Sequence, residues 1–420
     1  MHQWLRTARI TPELVWFLAS PGRRADPYPA YRRLQRLDAI HRSPLGVFVV
    51  SGHAPVSAAL RDPSLSSDLA HLDPSTIHIG PLMRLLGNGE RMEHGAFFDI
   101  VPQLMLFRDP PDHTRLRSQV SRAFTARTVE RLSERISQIA HSMLDEIVPH
   151  GSTEFMANFA YPFPARVICE LIGVPAEESH VIIEHAPALA GGLDPGPLLT
   201  VAARDAANAA ADKIVAYLRE LIGQRRGEPR ADLLSELIAL DGGTGLSEDD
   251  LIATVLLLLI AGHETTANLL GNGLVALLAQ PVALDALRRD PSLDAAAVDE
   301  LLRFDSPVQM TMRIAATSTE IGGHRVPQGT IVILCTGAAN RDAAVFSEPD
   351  RLLWDRQPNP HVTFGGGIHY CLGAALARTE AAIALRAVFE RMPELALVRK
   401  PARRASFTVR ALESLELRWS

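Results

Sequence analysis

The stretch at residues 247–281 constrains the fold more than any other part of the chain. Ser247 and Asp250 have the spacing of a capping box, and Pro281 predicts where the helix stops. At 1.5 Å per residue, such a helix is roughly 50 Å long and crosses the whole molecule. Residues 251–261 are apolar on almost every face, which is typical of a helix buried on all sides. We therefore predict a central helix.

The remainder of the chain predicts a mainly α protein with a small β part. Apolar residues recur every three or four positions over residues 127–148 and 202–226, which predicts two amphipathic helices. Runs rich in branched residues at 46–52, 324–337 and 406–420 predict the few strands. Because no repeat or low-complexity linker divides the sequence, we expect one domain over residues 1–420.

Composition excludes several classes of protein. The net charge of -6 gives no reason to expect nucleic acid as a partner, since phosphate binding needs a basic face. Three scattered cysteines are too few for a disulfide framework, and they fit a reducing compartment. The apolar run LVWFLA near the start is far shorter than the ~20 residues that cross a bilayer. We expect a soluble, cytoplasmic protein.

The segment FGGGIHYCLG, residues 364–373, surrounds one cysteine with glycines. It does not follow the dinucleotide-binding pattern, because Tyr370 occupies the third glycine position. Cys371 lies just before a predicted helix, where free N–H groups and the helix dipole stabilise a thiolate. Thiolate ligation of haem iron is one chemistry that uses such an ion. Close approach of a flat group to the backbone is permitted by Gly365, Gly366, Gly367 and Gly373.

Polar residues interrupt the apolar helix at 262–266. Either the helix reaches the surface there and Glu264 is solvated, or Glu264 is a buried carboxylate that forms a proton relay with the neighbouring hydroxyl of Thr265. The segment is not a zinc-binding helix, because Ala267 stands where the second histidine would be. Both interpretations of Glu264 stay open at this point.

Two further pairs have helical spacing. Glu300 and Arg303 lie at i and i+3, an arrangement that usually decorates an exposed helix. His113 and Arg117 lie at i and i+4 on a helix predicted to start at a double proline. That helix is either an ordinary basic surface or a clamp for a ligand with two carboxylates, since imidazole and guanidinium both donate hydrogen bonds to carboxylates.

Taken together, these stretches resemble a soluble bacterial member of the cytochrome P450 family of haem-thiolate monooxygenases. The family's pattern Phe-Gly-x-Gly-x-His-x-Cys-x-Gly is matched by Phe364, Gly365, Gly367, His369, Cys371 and Gly373. Three more family motifs follow the family's order along the chain, namely His113 with Arg117, the run Ala261, Gly262, Glu264 and Thr265, and Glu300 with Arg303.

The resemblance implies a P450 fold, in which the long central helix lies over haem b, and a role for each matched residue. Cys371 would be the axial ligand of the iron, and Phe364 would pack beside the sulfur. Glu264, which stands where many relatives have Asp, and Thr265 would deliver the protons needed to cleave dioxygen. The propionates would be held by His113, Arg117, Arg313 and His369. Gly365 and Gly373 would belong to the cofactor-binding loop around Cys371. A buried network would join Glu300, Arg303 and Arg351.

The implied reaction inserts one oxygen atom from O2 into a C–H bond or an alkene, as in a hydroxylase or epoxidase. No reductase-like segment follows residue 420, so we expect electrons from a ferredoxin and its NAD(P)H-dependent reductase. Arg115 and Arg122 are predicted contacts for that acidic carrier.

By the same resemblance, residues 73–104 and 183–200 line the substrate pocket, and GGLDPGP at 191–197 predicts a mobile lid or a passive connector. Mostly apolar residues predict a hydrophobic small molecule. We favour a natural-product skeleton such as a polyketide or macrolide, with a terpenoid, steroid or fatty acid as alternatives. The predicted pocket residues are Leu257, Leu258, Ala261, Val308, Gln309, Met310, Thr408 and Val409.

Three rival functions remain. A peroxide-driven enzyme would need neither a redox partner nor a proton relay, and the presence of Glu264 with Thr265 argues against it. A non-catalytic haem sensor would be favoured by an appended signalling domain, which we do not expect here. A zinc protein using Cys371, His369 and His361 would lack a fourth ligand and would leave the glycines without a purpose.

Overall fold

The capped apolar stretch forms one 31-residue helix, Glu248–Leu278, in the computed structural model of the protein. The structure describes residues 25–43, 45–76, 94–194, 199–239, 246–404 and 406–420. The Asp250 N–H donates to the Ser247 hydroxyl at 3.0 Å, and the Ser247 N–H donates to the Asp250 carboxylate at 3.3 Å, so the capping box is confirmed. Of the helices within those ranges, this one alone is long and apolar enough to cross a membrane, and most of its apolar window is buried inside the protein.

Helices form most of the structure and surround this central helix. The helices predicted over 127–148 and 202–226 are both present, as Ala126–Ile147 and Val201–Gly227. In chain order the helices are α1 Tyr28–Leu37, α2 His53–Ala59, α3 Ala96–Ile100, α4 Asp112–Val120, α5 Ala126–Ile147, α6 Pro162–Ile172, α7 Ser179–Gly192, α8 Val201–Gly227, α9 Leu233–Ala239, α10 Glu248–Leu278, α11 Pro281–Arg289, α12 Asp294–Phe304, α13 Thr336–Ala339 and α14 Ala374–Arg391.

The strands are short and are grouped in small sheets. In chain order they are β1 Ile40–Arg42, β2 Phe48–Val50, β3 Leu65–Ser66, β4 Ser152–Glu154, β5 Thr311–Ala315, β6 Thr319–Ile321, β7 His324–Val326, β8 Ile331–Leu334, β9 Ala396–Leu397, β10 Ala402–Arg403, β11 Leu412–Ser414 and β12 Glu416–Arg418. One sheet has the order β1-β2-β8-β5-β3, with β2 and β8 parallel. The others have the orders β4-β12-β9, β6-β7 and β10-β11.

The run predicted as one strand at 324–337 is divided by a turn. Gly329 has a positive φ of 78°, which glycine adopts without strain, and the chain reverses between β7 and β8 so that the two strands join different sheets. The run at 406–420 likewise contributes strands only from Leu412 onward. The three predicted runs therefore contain β2, β7, β8, β11 and β12 but merge separate strands, and the other seven strands of the described residues lie outside them.

The main apolar core lies between the central helix and the helices around it. The central helix α10 contacts α6, α7, α12 and α14, and its C-terminal half also contacts β11. At Gly271 an added Cβ would lie 2.6 Å from the Met156 Sδ and 2.8 Å from a Leu412 methyl group. Glycine at this position is therefore what lets the C-terminal strand pack directly on the helix.

Candidate active site

Cys371 lies between the short 3-10 turn Gly367–His369 and helix α14. Its N–H donates to the Phe364 carbonyl at 2.8 Å, which closes the loop. Gly367 has a φ of 64°, and a Cβ there would lie 2.8 Å from the Leu60 carbonyl oxygen. Burial raises the pKa of the Cys371 thiol, whereas the Gly373 N–H and then the guanidinium groups of Arg117 and Arg378 lower it.

A cluster of hydrogen-bond donors lies beside this loop. The His113 and His369 rings are 4.5 Å apart between centroids, and three of their four nitrogens, both of His113 and Nε2 of His369, are buried without a hydrogen-bond partner. Burial, followed by the positive charge of Arg313, lowers the pKa of His369 to about 3. Arg117 donates to the Tyr370 carbonyl at 2.7 Å.

Arg313 completes the cluster from strand β5. It is buried, it donates to the Met312 carbonyl at 2.8 Å, and burial lowers its pKa to about 10. A buried cation next to imidazole rings with unpartnered nitrogens fits a ligand with two carboxylates, because charged acceptors would pair with the guanidinium and with one N–H of each ring. The residues present therefore fit the propionate side of haem, and the structure brings together the four side chains that were predicted for it.

Among residues 251–274 of the central helix, only Ala261, Gly262 and Thr265 are not buried. Ala261 is exposed, and Gly262 and Thr265 are half-buried. Ala261 and Thr265 are one turn apart and share a face of the helix. The Thr265 hydroxyl donates to the Ala261 carbonyl at 2.7 Å. The helix therefore presents a small, open surface that includes a hydroxyl group.

Glu264 is completely buried, at 0% exposure, so the interpretation in which it is solvated is wrong. Its Oε1 forms an ion pair with Arg404 and accepts a hydrogen bond from the Asn268 Nδ2 at 3.1 Å. Its Oε2 has no hydrogen-bond partner. Burial raises the pKa of Glu264, and the Arg404 charge opposes the increase. One carboxylate oxygen is thus held by Arg404 and Asn268, while the other has no hydrogen-bond partner.

Sequence reasoning missed the partners of this carboxylate. Glu264, Asn268 and Asn272 lie at i, i+4 and i+8 on the central helix, and all three bond to the chain between Arg403 and Leu412. The Leu412 N–H donates to Asn268 Oδ1 at 2.8 Å, and Arg403 donates to Asn272 Oδ1 at 2.7 Å. We call these three residues the polar ladder. Their four-residue spacing within an apolar helix was the available signal.

Glu300 and Arg303 form a buried bidentate pair, at 2.7 and 2.8 Å, rather than an exposed one. The prediction that Arg351 completes this network is wrong. The Arg351 side chain is 63% exposed and pairs with Glu348, and only its carbonyl oxygen accepts from Arg303, at 3.0 Å. Arg356 takes the predicted place, since its side chain is 6% exposed and its Nε lies 3.1 Å from the Glu300 carboxylate. The turns that follow α13 direct Arg351 outward and Arg356 inward.

The predicted pocket residues come from three parts of the chain. Val308 pairs with Val409 in an isolated β-bridge, and the Gln309 N–H donates to the Thr408 carbonyl at 2.8 Å. The Gln309 side chain is buried and donates to the Ser306 carbonyl at 2.7 Å, so it supports the turn from within. Residues 77–93 and 195–198 of the predicted pocket loops lie outside the described residues. Leu257, Leu258 and Met310 also belong to the predicted set.

Asp194, at the described end of the predicted lid segment, contacts the same turn. Its carboxylate accepts from the Ser406 hydroxyl and the Thr408 N–H, both at 2.9 Å, and from the Phe407 N–H at 3.2 Å. The chain just after α7 is thereby fixed to the turn that carries Thr408 and Val409. This contact joins two segments that were predicted to line the pocket.

The two arginines predicted to meet a redox partner differ in their surroundings. Arg115 is 3.1 Å from Asp250, at the start of the central helix, and 3.5 Å from Asp112. Arg122 is exposed in the 3-10 turn Ser121–Phe124. Arg115 therefore has an intramolecular role in joining α4 to the central helix.

The zinc interpretation has no support in the described ranges, which hold no group of three or more His, Cys, Asp or Glu side chains placed to bind a metal ion. His361 instead pairs with Asp299, at 3.2 Å. Its ring packs 5.9 Å from the Phe364 ring, between centroids.

Comparisons with known proteins agree with the resemblance. The cytochrome P450 family model matches residues 193–393. The chain is 40% identical over 386 residues to the vitamin D(3) 25-hydroxylase of Pseudonocardia autotrophica, covering 89% of this chain and 88% of that one. It is 41% identical over 322 residues to the polyketide biosynthesis cytochrome P450 PksS of Bacillus subtilis, covering 76% of this chain and 78% of that one.

Among solved structures, P450BioI in complex with hexadec-9Z-enoic acid ligated acyl carrier protein has a TM-score of 0.86 and 36% identity, covering 96% of this chain and 100% of that one. Similarity of this extent in both sequence and structure shows the family. The chain belongs to the cytochrome P450 family, as a haem-thiolate monooxygenase whose cofactor is haem b.

Proposed function

We propose that this enzyme inserts one oxygen atom from O2 into a C–H bond or an alkene of a hydrophobic natural product, such as a polyketide or macrolide. The observation that carries the proposal is the buried Glu264, whose Oε2 has no hydrogen-bond partner, directly before the half-buried Thr265 in the central helix. The proposal makes this pair the proton-transfer groups of a site whose predicted lining is mostly apolar.

The residues proposed to hold the haem follow from the site. The Cys371 thiolate would bind the iron, with Phe364 beside it and glycines, including Gly365 and Gly373, in the surrounding loop. The propionates would be bound by His113, Arg117, Arg313 and His369. When bound, the haem supplies the redox chemistry that activates dioxygen.

Proton transfer is proposed to use Glu264 and Thr265. The ion pair with Arg404 would hold Oε1 in place and stabilise the buried Glu264 side chain. Oε2, which has no partner, would exchange the proton. The Thr265 hydroxyl, held by the Ala261 carbonyl, is the group on the open face. Burial raises the pKa of the Glu264 carboxyl above its usual value, which favours its protonated form and suits this role.

The substrate would lie against Leu257, Leu258 and Ala261 on the central helix and against the bridged Val308 and Val409. All five side chains are apolar, which supports a hydrophobic substrate. One similar protein is named for polyketide biosynthesis, which supports the preferred class. Another is named for vitamin D(3) hydroxylation, and a third was solved with a carrier-linked fatty acid, so steroid and fatty-acid classes belong in the same test.

Electrons are proposed to come from a ferredoxin and an NAD(P)H-dependent ferredoxin reductase, with the chain acting as one cytoplasmic domain. Arg122 is the better candidate contact of the two predicted arginines, because Arg115 is held by Asp250 and Asp112. Ile368 and Tyr370, both exposed in the cysteine loop, provide the apolar part of such a surface.

The test begins with purified holoenzyme reduced in the presence of carbon monoxide. We expect the strongly red-shifted Soret band of thiolate ligation, and its loss in Cys371→Ser. A panel of macrolactones, steroids and fatty acids is then screened for the optical change from low to high spin, and hits are turned over with a surrogate ferredoxin, its reductase and isotopically labelled dioxygen. Labelled product supports the proposal, and a wild-type CO complex without the red shift would refute it.

A further inference from the structure

Arg378 lies on α14, two turns after Cys371, and the proposed function gives it no role. Its Nε donates to the Asp299 Oδ1 at 2.7 Å, which joins α14 to α12. Its guanidinium carbon lies 4.5 Å from the centre of the Phe364 ring. The side chain also bonds to the Tyr370 side chain. Arg378 therefore contacts two residues of the cysteine loop, one of which directly precedes Cys371.

The surroundings of Arg378 fix where its charge lies. Asp299 binds the guanidinium on one side. The same carboxylate oxygen also lies 3.2 Å from the His361 Nε2. The His361 side chain is buried and packs against Phe364 as well. A guanidinium held by a carboxylate and by an aromatic face keeps few rotamers, since both contacts constrain its planar group.

We propose that Arg378 is a positioning residue for the Cys371 thiolate and that its charge, reduced in effect by Asp299, raises the reduction potential of the haem iron. A fixed positive charge near the iron stabilises the reduced state, which carries one positive charge fewer than the oxidised state. A fixed negative charge has the opposite effect. The proposal rests on the proposed ligation by Cys371.

The fold offers a matched control on the same two helices. Arg386, eight residues further along α14, pairs with Asp294 of α12 through its Nε at 3.0 Å and also donates to the Leu287 carbonyl at 2.9 Å. Eight residues of helix place it about 12 Å further from the cysteine loop. Replacing Arg386 thus breaks an equivalent ion pair between the helices without changing the charge next to the sulfur.

The experiment is a dye-mediated redox titration of holoenzyme carrying Arg378→Gln, Arg378→Lys, Asp299→Asn or Arg386→Gln. Arg378→Gln is expected to lower the iron potential, by a change of about threefold to tenfold in the reduction equilibrium constant, as expected for a partly exposed charge. Asp299→Asn is expected to raise it. Arg378→Lys retains the charge and should shift the potential less than Arg378→Gln, and Arg386→Gln should leave it unchanged.

The opposite signs of the two expected potential shifts distinguish an electrostatic effect from a structural disturbance. Arg378→Gln and Asp299→Asn break the same ion pair, so a purely structural role would shift the potential in the same direction in both variants. Shifts of equal sign, or an unchanged potential in Arg378→Gln, would overturn the proposal. The ferrous CO spectrum is recorded for every variant and for wild type. A wild type without the thiolate band refutes the proposed ligation, whereas an intact band with unshifted potentials refutes only the role of Arg378.

Discussion

The carboxylate of Glu264 and the guanidinium of Arg404 form an ion pair whose two members differ in exposure. Glu264 is 0% exposed and Arg404 is 31% exposed, so a buried charge on the central helix is neutralised by a cation that reaches the edge of the protein. The two residues are 140 positions apart in the chain. Burial lowers the pKa of Arg404, but the charge of Glu264 and, to a smaller extent, that of Asp194 raise it, so that the pKa is raised overall.

Arg404→Gln is expected to destabilise the holoenzyme, because it leaves Glu264 buried and unpaired. We expect a loss of about 1–3 kcal/mol, below the range for a fully buried pair since Arg404 is partly exposed. The loss should be smaller at pH 5 than at pH 8. Burial raises the pKa of Glu264 in the folded protein, so its protonated form favours folding at low pH and that contribution is lost as the pH rises through the raised pKa. Thermal unfolding at both pH values measures this, and Glu264→Gln combined with Arg404→Gln should recover most of the loss.

Thr265→Ala is expected to separate dioxygen-driven from peroxide-driven turnover. Removal of the hydroxyl on the open face of the helix should divert NADPH consumption toward hydrogen peroxide, with product yield per NADPH falling by about tenfold or more. Turnover supported by added peroxide should be retained. Equal losses under both oxidants would contradict a role for Thr265 in proton delivery, and Thr266→Ser, at the neighbouring buried position, is the control.

Asp194→Asn is expected to loosen the turn at residues 406–408. The substitution removes a charged acceptor shared by two N–H groups and one hydroxyl, and hydrogen bonds to charged groups contribute about 1.5–3 kcal/mol. Amide hydrogen exchange of Phe407 and Thr408 should become at least about tenfold faster. Asp290→Asn is the control, because Asp290 accepts from Ser292 in an exposed turn elsewhere. Unchanged exchange at Phe407 would show that Asp194 does not hold the turn.

Arg356→Gln and Arg351→Gln test the corrected network. Arg356→Gln removes a buried partner of Glu300 and should cost about 3 kcal/mol or more of stability, with loss of bound haem on heating at a lower temperature. Arg351→Gln changes an exposed side chain and should alter stability by less than about 0.5 kcal/mol. Comparable losses in both variants would contradict the placement of the two side chains.

Glu380→Gln is expected to stabilise the protein at neutral pH. Glu380 is buried on α14 with an unpartnered Oε2, and burial raises its pKa well above the usual value. Its protonated form therefore favours folding below the unfolded pKa, and this contribution is lost as the pH rises. Between pH 5 and 7 the advantage of the Gln variant should grow by up to about 1.4 kcal/mol per pH unit. A difference in stability that does not change with pH would indicate that a nearby cation holds Glu380 ionised.

Local sequence signals predicted the central helix and the cysteine loop. The features that they did not predict depend on contacts between residues far apart in the chain. The capping box and the apolar run depend on neighbouring residues, so the helix at Glu248–Leu278 could be predicted directly. Arg351 and Arg356 are both arginines of one irregular segment, and their opposite orientations depend on tertiary packing against Glu300. Periodicity gives no information on that choice.

The same reasoning applies to the contacts of the proposed relay and of Arg378. The apolar residues around Glu264 allowed its burial to be considered from the sequence. Its partner Arg404 could not be predicted in this way, because it belongs to a hairpin 140 positions further along the chain. In the sequence, Arg378 and Asp299 look like ordinary charged residues of two surface helices. Only the packing of α14 on α12 brings them together next to Phe364. The turn within 324–337 had a visible signal, the Pro327 and Gly329 pair, that the strand prediction did not use.

The polar ladder has a consequence for protein engineering. The loop between β10 and β11 presents Thr408 and Val409, and the same loop supplies the cation that balances Glu264. If Glu264 delivers protons as proposed, libraries that randomise this loop to accept new molecules will also change how efficiently reducing equivalents are converted into product. Keeping Arg404 and the three ladder positions constant would preserve the partners of Glu264 in such libraries.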